Sequence, residues 1–127
     1  PAGATTLAAA EAVAFARSEL GVPYLWGGEG PGGFDCSGLV QAAYASAGVS
    51  LPRVAQAQFD AGPALPPGQA LVPGDLVFFG SSTSDVTHVG IYVGGGDMID
   101  APHTGAFVRR EPYRWSDYLG ATRPAGP

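Results

Sequence analysis

The chain has 127 residues, a formal net charge of −5 and 46% hydrophobic residues. That composition excludes a disordered chain, and six scattered arginines with no lysine exclude a basic nucleic-acid-binding face. No apolar run approaches the ~20 residues of a membrane span, and the single cysteine, Cys36, cannot form an internal disulfide. The length suits one domain over residues 1–127, with 1–5 and 124–127 expected to be flexible. No signal peptide is read in Pro1-Ala2-Gly3. Gly and Pro are frequent but follow no G-X-Y period, which excludes a collagen-like chain.

In chain order, the first predicted element is a helix from Thr6 to Leu20, with a buried stripe of Ala9, Val13, Ala16 and Leu20 and a stop at Gly21 and Pro23. A Gly/Pro-rich loop, Glu29 to Gly33, leads into Phe34-Asp35-Cys36-Ser37-Gly38. There Asp35 is a good N-cap, and Leu39, Val40, Ala43, Tyr44 and Ala47 make the stripe of a second helix that stops at Gly48. A short helix is expected near Val54–Asp60, before Pro63, Pro66 and Pro67 break regular structure. The second half reads as strands: Asp75–Phe79, Val86–Val93, Asp97–Ala101 after a Gly94-Gly95-Gly96 turn, and Phe107–Arg110. Trp115–Leu119 is expected as a final helical turn covering the sheet. Helices first and strands later indicate an α+β domain with an antiparallel sheet.

A lone cysteine is most often a small buried hydrophobe. Cys36, however, falls in the first turn of its helix, where free backbone N–H groups and the helix dipole favour a thiolate. Its chemistry then depends on a base and an orienting group elsewhere. Only two histidines exist, His88 and His103. In Val86–Val93 the alternation puts Thr87, Val89, Ile91 and Val93 on a core face, and His88 with Gly90 on the other, which reads locally as a solvated face. Gly90 leaves room for something to approach the sheet beside His88. A three-residue turn at the glycines gives a register of equal parity, with Asp100 opposite His88 or one diagonal step away. A two-residue turn flips Asp100 to the other face.

Five blocks occur in order: Tyr24-Leu25-Trp26-Gly27-Gly28, Phe34-Asp35-Cys36-Ser37-Gly38-Leu39-Val40, Leu51-Pro52-Arg53, Pro73-Gly74-Asp75-Leu76-Val77-Phe78-Phe79 and His88-Val89-Gly90-Ile91-Tyr92-Val93-Gly94. With them the chain, from about Thr6 to Arg123, resembles the NlpC/P60 family of cell-wall cysteine peptidases, the mycobacterial and other actinobacterial members in particular. The resemblance implies a papain-like α+β fold with the cysteine helix packed on an antiparallel sheet. It implies hydrolysis of peptidoglycan stem peptides, usually between the γ-carboxyl of D-glutamate and a diamino acid such as meso-diaminopimelate.

Carried over by position, Cys36 resembles the nucleophile, His88 the general base and Asp100 the third member, where many relatives carry a second histidine. Tyr24 resembles a tyrosine that lines the site, and Asp35, Ser37 and Arg53 are expected at the substrate. Asp35 and Ser37 also read simply as helix-capping residues. After Arg53 the family often has Thr or Ser and then Ser; Val54 and Ala55 stand there instead, while Gln58 keeps its place. His103 is expected on the surface or the cleft rim.

No cofactor and no metal are expected, because one cysteine, two histidines and scattered acids make no structural zinc set. The implied partners are peptidoglycan stem peptides, with no nucleic acid and no membrane insertion; a monomer is expected, and the implied location is secreted or at the cell wall. A non-hydrolysing peptidoglycan-binding module on the same fold is the alternative.

Overall fold

The computed structural model describes residues 6–126; the flexible segment expected at 1–5, and Pro127, lie outside them. Helix α1 (Leu7–Ser18) starts at Thr6, whose hydroxyl accepts the N–H of Ala9. Its buried face is Ala9, Ala12, Val13 and Ala16. Leu20, expected in that stripe, lies past the helix end and is 45% exposed. The small residues let α1 lie close against α2 (Cys36–Ser46), which buries Leu39, Val40, Ala43 and Tyr44. Helix α3 (Ala55–Ala61) begins at Val54, which has no capping side chain.

Five strands form one antiparallel sheet in the order β4-β3-β2-β1-β5. They are β1 (Leu76–Ser82), β2 (Asp85–Gly94), β3 (Asp97–Asp100), β4 (Arg109–Pro112) and β5 (Tyr118–Thr122). Three helices on this sheet make the α+β architecture expected. The helices cover one face, where Phe78, Val89, Ile91 and Ile99 meet Leu39, Val40 and Tyr44 in the main core.

Two expectations fail for one reason. The segment Trp115–Leu119, read as a closing helical turn, makes a single turn at Trp115–Tyr118 and then enters strand β5, paired with β1 from Leu76↔Thr122 to Phe79↔Tyr118. The face read as solvated carries a second core of Val77, Phe79, Met98, Tyr113 and Ala121. The unbroken apolar run Leu76–Phe79 is the signal for both: consecutive buried residues mean a strand covered on two faces and bonded on two edges. Residues 113–117 cross that second face to join the edge strands β4 and β5.

Asp75, fully buried at the entry to β1, ties the sheet to the chain end. It accepts the Val72 N–H at 2.8 Å and a two-pronged contact from Arg123, at 2.8 and 2.9 Å. A buried pair of this kind loses most when only one partner is removed. Arg123→Met is therefore expected to lower the unfolding free energy by about 3–5 kcal/mol, measured by urea denaturation. A loss below about 1 kcal/mol would show the pair to be no stronger than an exposed one.

Candidate active site

The start of α2 is fixed from two sides. Asp35 caps it, its Oδ1 accepting the Gly38 N–H at 2.7 Å, and its own N–H bonds to the Gly28 carbonyl. Gly38 has to be glycine, since a Cβ there would sit 2.0 Å from the Gly28 oxygen. Arg53, reached through the Leu51-Pro52 turn, then clamps the cap. Its Nη1 donates to Asp35 Oδ1 and to Ser37 Oγ, each at 3.0 Å, and its Nη2 to Asp35 Oδ2 at 2.7 Å. Glu29 adds a looser ion pair at 3.7 Å. Buried Gln58 donates to the Ser37 and Pro52 carbonyls and so fastens α3 to the same turn. The result is a half-exposed Cys36 on a rigid helix start, with its N–H in the first turn and no intrahelical acceptor.

The β2–β3 hairpin supplies the next two groups. Its register runs Ile91↔Ile99 and Tyr92↔Met98, then shifts so that Gly94 faces Asp97 across Gly95-Gly96. The tight turn at these glycines is thus offset by an extra residue, Val93, and the equal-parity register survives. Asp100 comes to lie one diagonal step from His88, on the same face. The His88 Nε2–Asp100 Oδ2 distance is 2.8 Å, with Asp100 fully buried and His88 9% exposed. The room left by Gly90 is taken by the protein itself: a Cβ there would meet Met98 Sδ at 2.6 Å and Asp100 Cβ at 3.3 Å.

With Nε2 committed to Asp100, Nδ1 is the ring nitrogen left for Cys36, which acts on the imidazole as a neighbour of opposite charge. Burial alone would push the imidazole toward its neutral form. The Asp100 and Cys36 hydrogen bonds and charges outweigh it and raise the His88 pKa to about 9.

Two neighbours escaped the sequence reading. Trp115, placed there in a helical turn, lies flat on the imidazole, 5.2 Å between ring centres and 5° between planes, and also packs on Phe79. Glu111, from β4, comes beside Asp100. Neither has a local signal, because both depend on the path of the chain after β3.

Tyr24 stands beside Cys36 and Asp35; partial burial first, then those two charges, raise its pKa, against Arg53. His103 is exposed in its loop, as expected. Val54 is 55% exposed, so the departure at that position removes a helix-capping hydroxyl from α3. No group of three or more His, Cys, Asp or Glu positioned to hold a metal occurs among the described residues.

A thiol at a helix start, an imidazole and a buried carboxylate bonded to it are the groups that thiol acyl transfer uses. The chain belongs to the NlpC/P60 family, which it matches over residues 21–123. It is 48% identical over 108 residues to a probable endopeptidase p60 of Listeria monocytogenes, covering 84% of this chain and 22% of that protein. It is 47% identical over 103 residues to the bifunctional muramidase/DL-endopeptidase CwlT of Bacillus subtilis, covering 78% and 31%. The chain thus spans less than a third of these curated relatives. The solved structure of the peptidoglycan hydrolase RipB from Mycobacterium tuberculosis superposes with a TM-score of 0.80 at 36% identity, covering 91% of this chain and 64% of that one.

Asp100→Asn removes a charge that holds the imidazolium and leaves the opposing burial in place. The His88 titration midpoint, followed by ring-nitrogen NMR, is expected near 9 in the parent and about 1–2 pH units lower in the variant. An unmoved midpoint would remove Asp100 from the site.

Proposed function

We infer that this chain is a cysteine endopeptidase that cuts peptidoglycan stem peptides, at the bond between the γ-carboxyl of D-glutamate and a diamino acid such as meso-diaminopimelate. The observation that carries this is the buried His88 Nε2–Asp100 contact, which leaves Nδ1 to the thiol at the start of α2. The relatives' names support the substrate and the bond class: one is a peptidoglycan hydrolase, another a DL-endopeptidase.

The reaction follows from the geometry. The Cys36 thiolate attacks the scissile carbonyl and forms a C–S bond. The charge that develops on the carbonyl oxygen is met by the Cys36 N–H, a donor the helix leaves free, with the Tyr24 hydroxyl nearby. His88 then gives the Nδ1 proton to the leaving amine as the C–N bond breaks. Water attacks the resulting thioester, His88 takes its proton, and the C–S bond breaks to release the acid and regenerate the thiolate beside the imidazolium. Asp100 keeps the ring turned and favours its charged form. All of this uses groups of the chain itself.

Asp35, Ser37 and Arg53 have a double role in this reading: they build the helix start and form the polar wall beside the thiol. An incoming ammonium at Asp35 has to share a carboxylate that Arg53 already grips with two nitrogens. The site acts on material at the cell wall, and so outside the cytoplasm.

Incubation with diaminopimelate-type muropeptides followed by mass spectrometry is expected to give fragments split between D-glutamate and diaminopimelate. Cys36→Ala should reduce their yield by at least about 10³-fold. If neither protein yields product while both co-sediment with sacculi, the chain is a peptidoglycan-binding module instead.

The pH profile gives a separate check. Acylation needs His88 protonated, so kcat/KM is expected to fall as pH rises through about 9. An activity still rising above that point would exclude the imidazolium as proton donor.

A further inference from the structure

Asp100 has two oxygens and, among the described residues, one hydrogen-bond partner. Oδ2 meets His88, whereas Oδ1 is buried and receives no donor. Glu111 presents the same feature, for its Oε2 is also buried without a donor. The β3–β4 register brings the two together. Asp100 faces Arg109 and Met98 faces Glu111, so Glu111 sits one diagonal step from Asp100 on the same face of the sheet. Glu111 is near enough to raise the Asp100 pKa.

The cation nearest in register pairs with Glu111 and leaves Asp100 Oδ1 without a donor. Arg109 places Nε 3.2 Å from Glu111 Oε2, at an angle that makes no hydrogen bond, and its side chain is 47% exposed. Two buried carboxylate oxygens on one sheet face, neither with a hydrogen-bond donor, are unfavourable. One proton between them serves both, as donor from one carboxyl and neutralised charge for the pair.

We propose that Glu111 is a positioning residue that shares one proton with Asp100, so that the line Cys36–His88–Asp100 continues to β4. The proposal rests on the thiol-peptidase reading of the site. The charged groups that face Asp100 are His88 from β2, and Glu111 and Arg109 from β4. Burial raises the Asp100 pKa and Glu111 raises it further, while His88 opposes both, for a value of about 7. Below that point the acidic end carries a single charge spread over two carboxyls. Above it the shared proton is lost, the charge doubles, and the imidazolium is held more firmly. Glu111 therefore lets the acidic end respond to pH in the neutral range, which a lone carboxylate beside an imidazolium does not do.

The test reads the proton directly and without substrate. Infrared difference spectra between about pH 6 and about pH 8 are expected to show a protonated carboxyl band in the parent, lost at the higher pH. The ring-nitrogen NMR titration of His88 should show a minor inflection over the same range, separate from its main midpoint. Glu111→Gln, whose amide donates to Oδ1 permanently, should lose both the band and the inflection while keeping the far-ultraviolet circular dichroism of the parent. If Glu111→Gln does not fold, Asp100→Asn takes its place and is expected to lose the same band. No band in the parent, or a band that survives in the folded variant, would overturn the proposal. Because no turnover is measured, an enzyme that hydrolyses muropeptides yet lacks the band sinks this proposal alone, and a chain without hydrolysis leaves the spectra readable.

Discussion

One residue in the β2–β3 hairpin decides which side of the sheet Asp100 occupies. The turn at Gly95-Gly96, taken alone, would set the strands in a register that sends Asp100 toward the helices. The shift at Val93 restores Tyr92↔Met98 and Ile91↔Ile99, and with them the diagonal between His88 and Asp100. Everything chemical in the site hangs from that step. It commits Nε2 of the imidazole, leaves Nδ1 for the thiol, buries the carboxylate and places Asp100 within reach of β4.

The other half of the site is held by different means. The helix start at Cys36 is positioned by a cap, a glycine pressed on the Gly28 carbonyl, and an arginine fork from a turn 18 residues away. These contacts are polar and partly exposed, whereas the His88–Asp100 pair is buried between β-strands and under Trp115. Cys36 therefore stands at an open rim and His88 in a nearly closed one. Such a division suits a reaction in which a peptide must reach the sulfur while the imidazole keeps its charge.

How much of this was legible follows from range along the chain. The Asp35 cap, the stripe Leu39–Tyr44 and the core alternation of Val89, Ile91 and Val93 are local patterns, and they fold as they read. Even the His88–Asp100 pair was accessible, because a hairpin links parity to geometry over a dozen residues. The Arg53 fork joins residues whose spacing follows no local period. Strand β5 has a glycine inside five residues and no alternation, so nothing in it competes with a helical reading until the free edge of β1 is known. Trp115 and Glu111 are placed by the sheet order, and that order is a property of the whole chain. The Leu76–Phe79 run did carry the second core, in its lack of any polar residue.

The connection from β4 to β5 has a consequence of its own. These strands are opposite edges of the sheet, and five residues, 113–117, bridge them. The bridge is not drawn straight: the Trp115 N–H bonds back to the Tyr113 carbonyl at 2.7 Å and the Tyr118 N–H to the Trp115 carbonyl at 3.1 Å, so it turns twice within five residues and the sheet has to curl to bring its edges that near. Those two turns hold Trp115 on the imidazole. Length, here, is a tolerance: a residue removed or added breaks one of the two turns and with it the seat of the indole, although the stretch holds none of Cys36, His88 and Asp100.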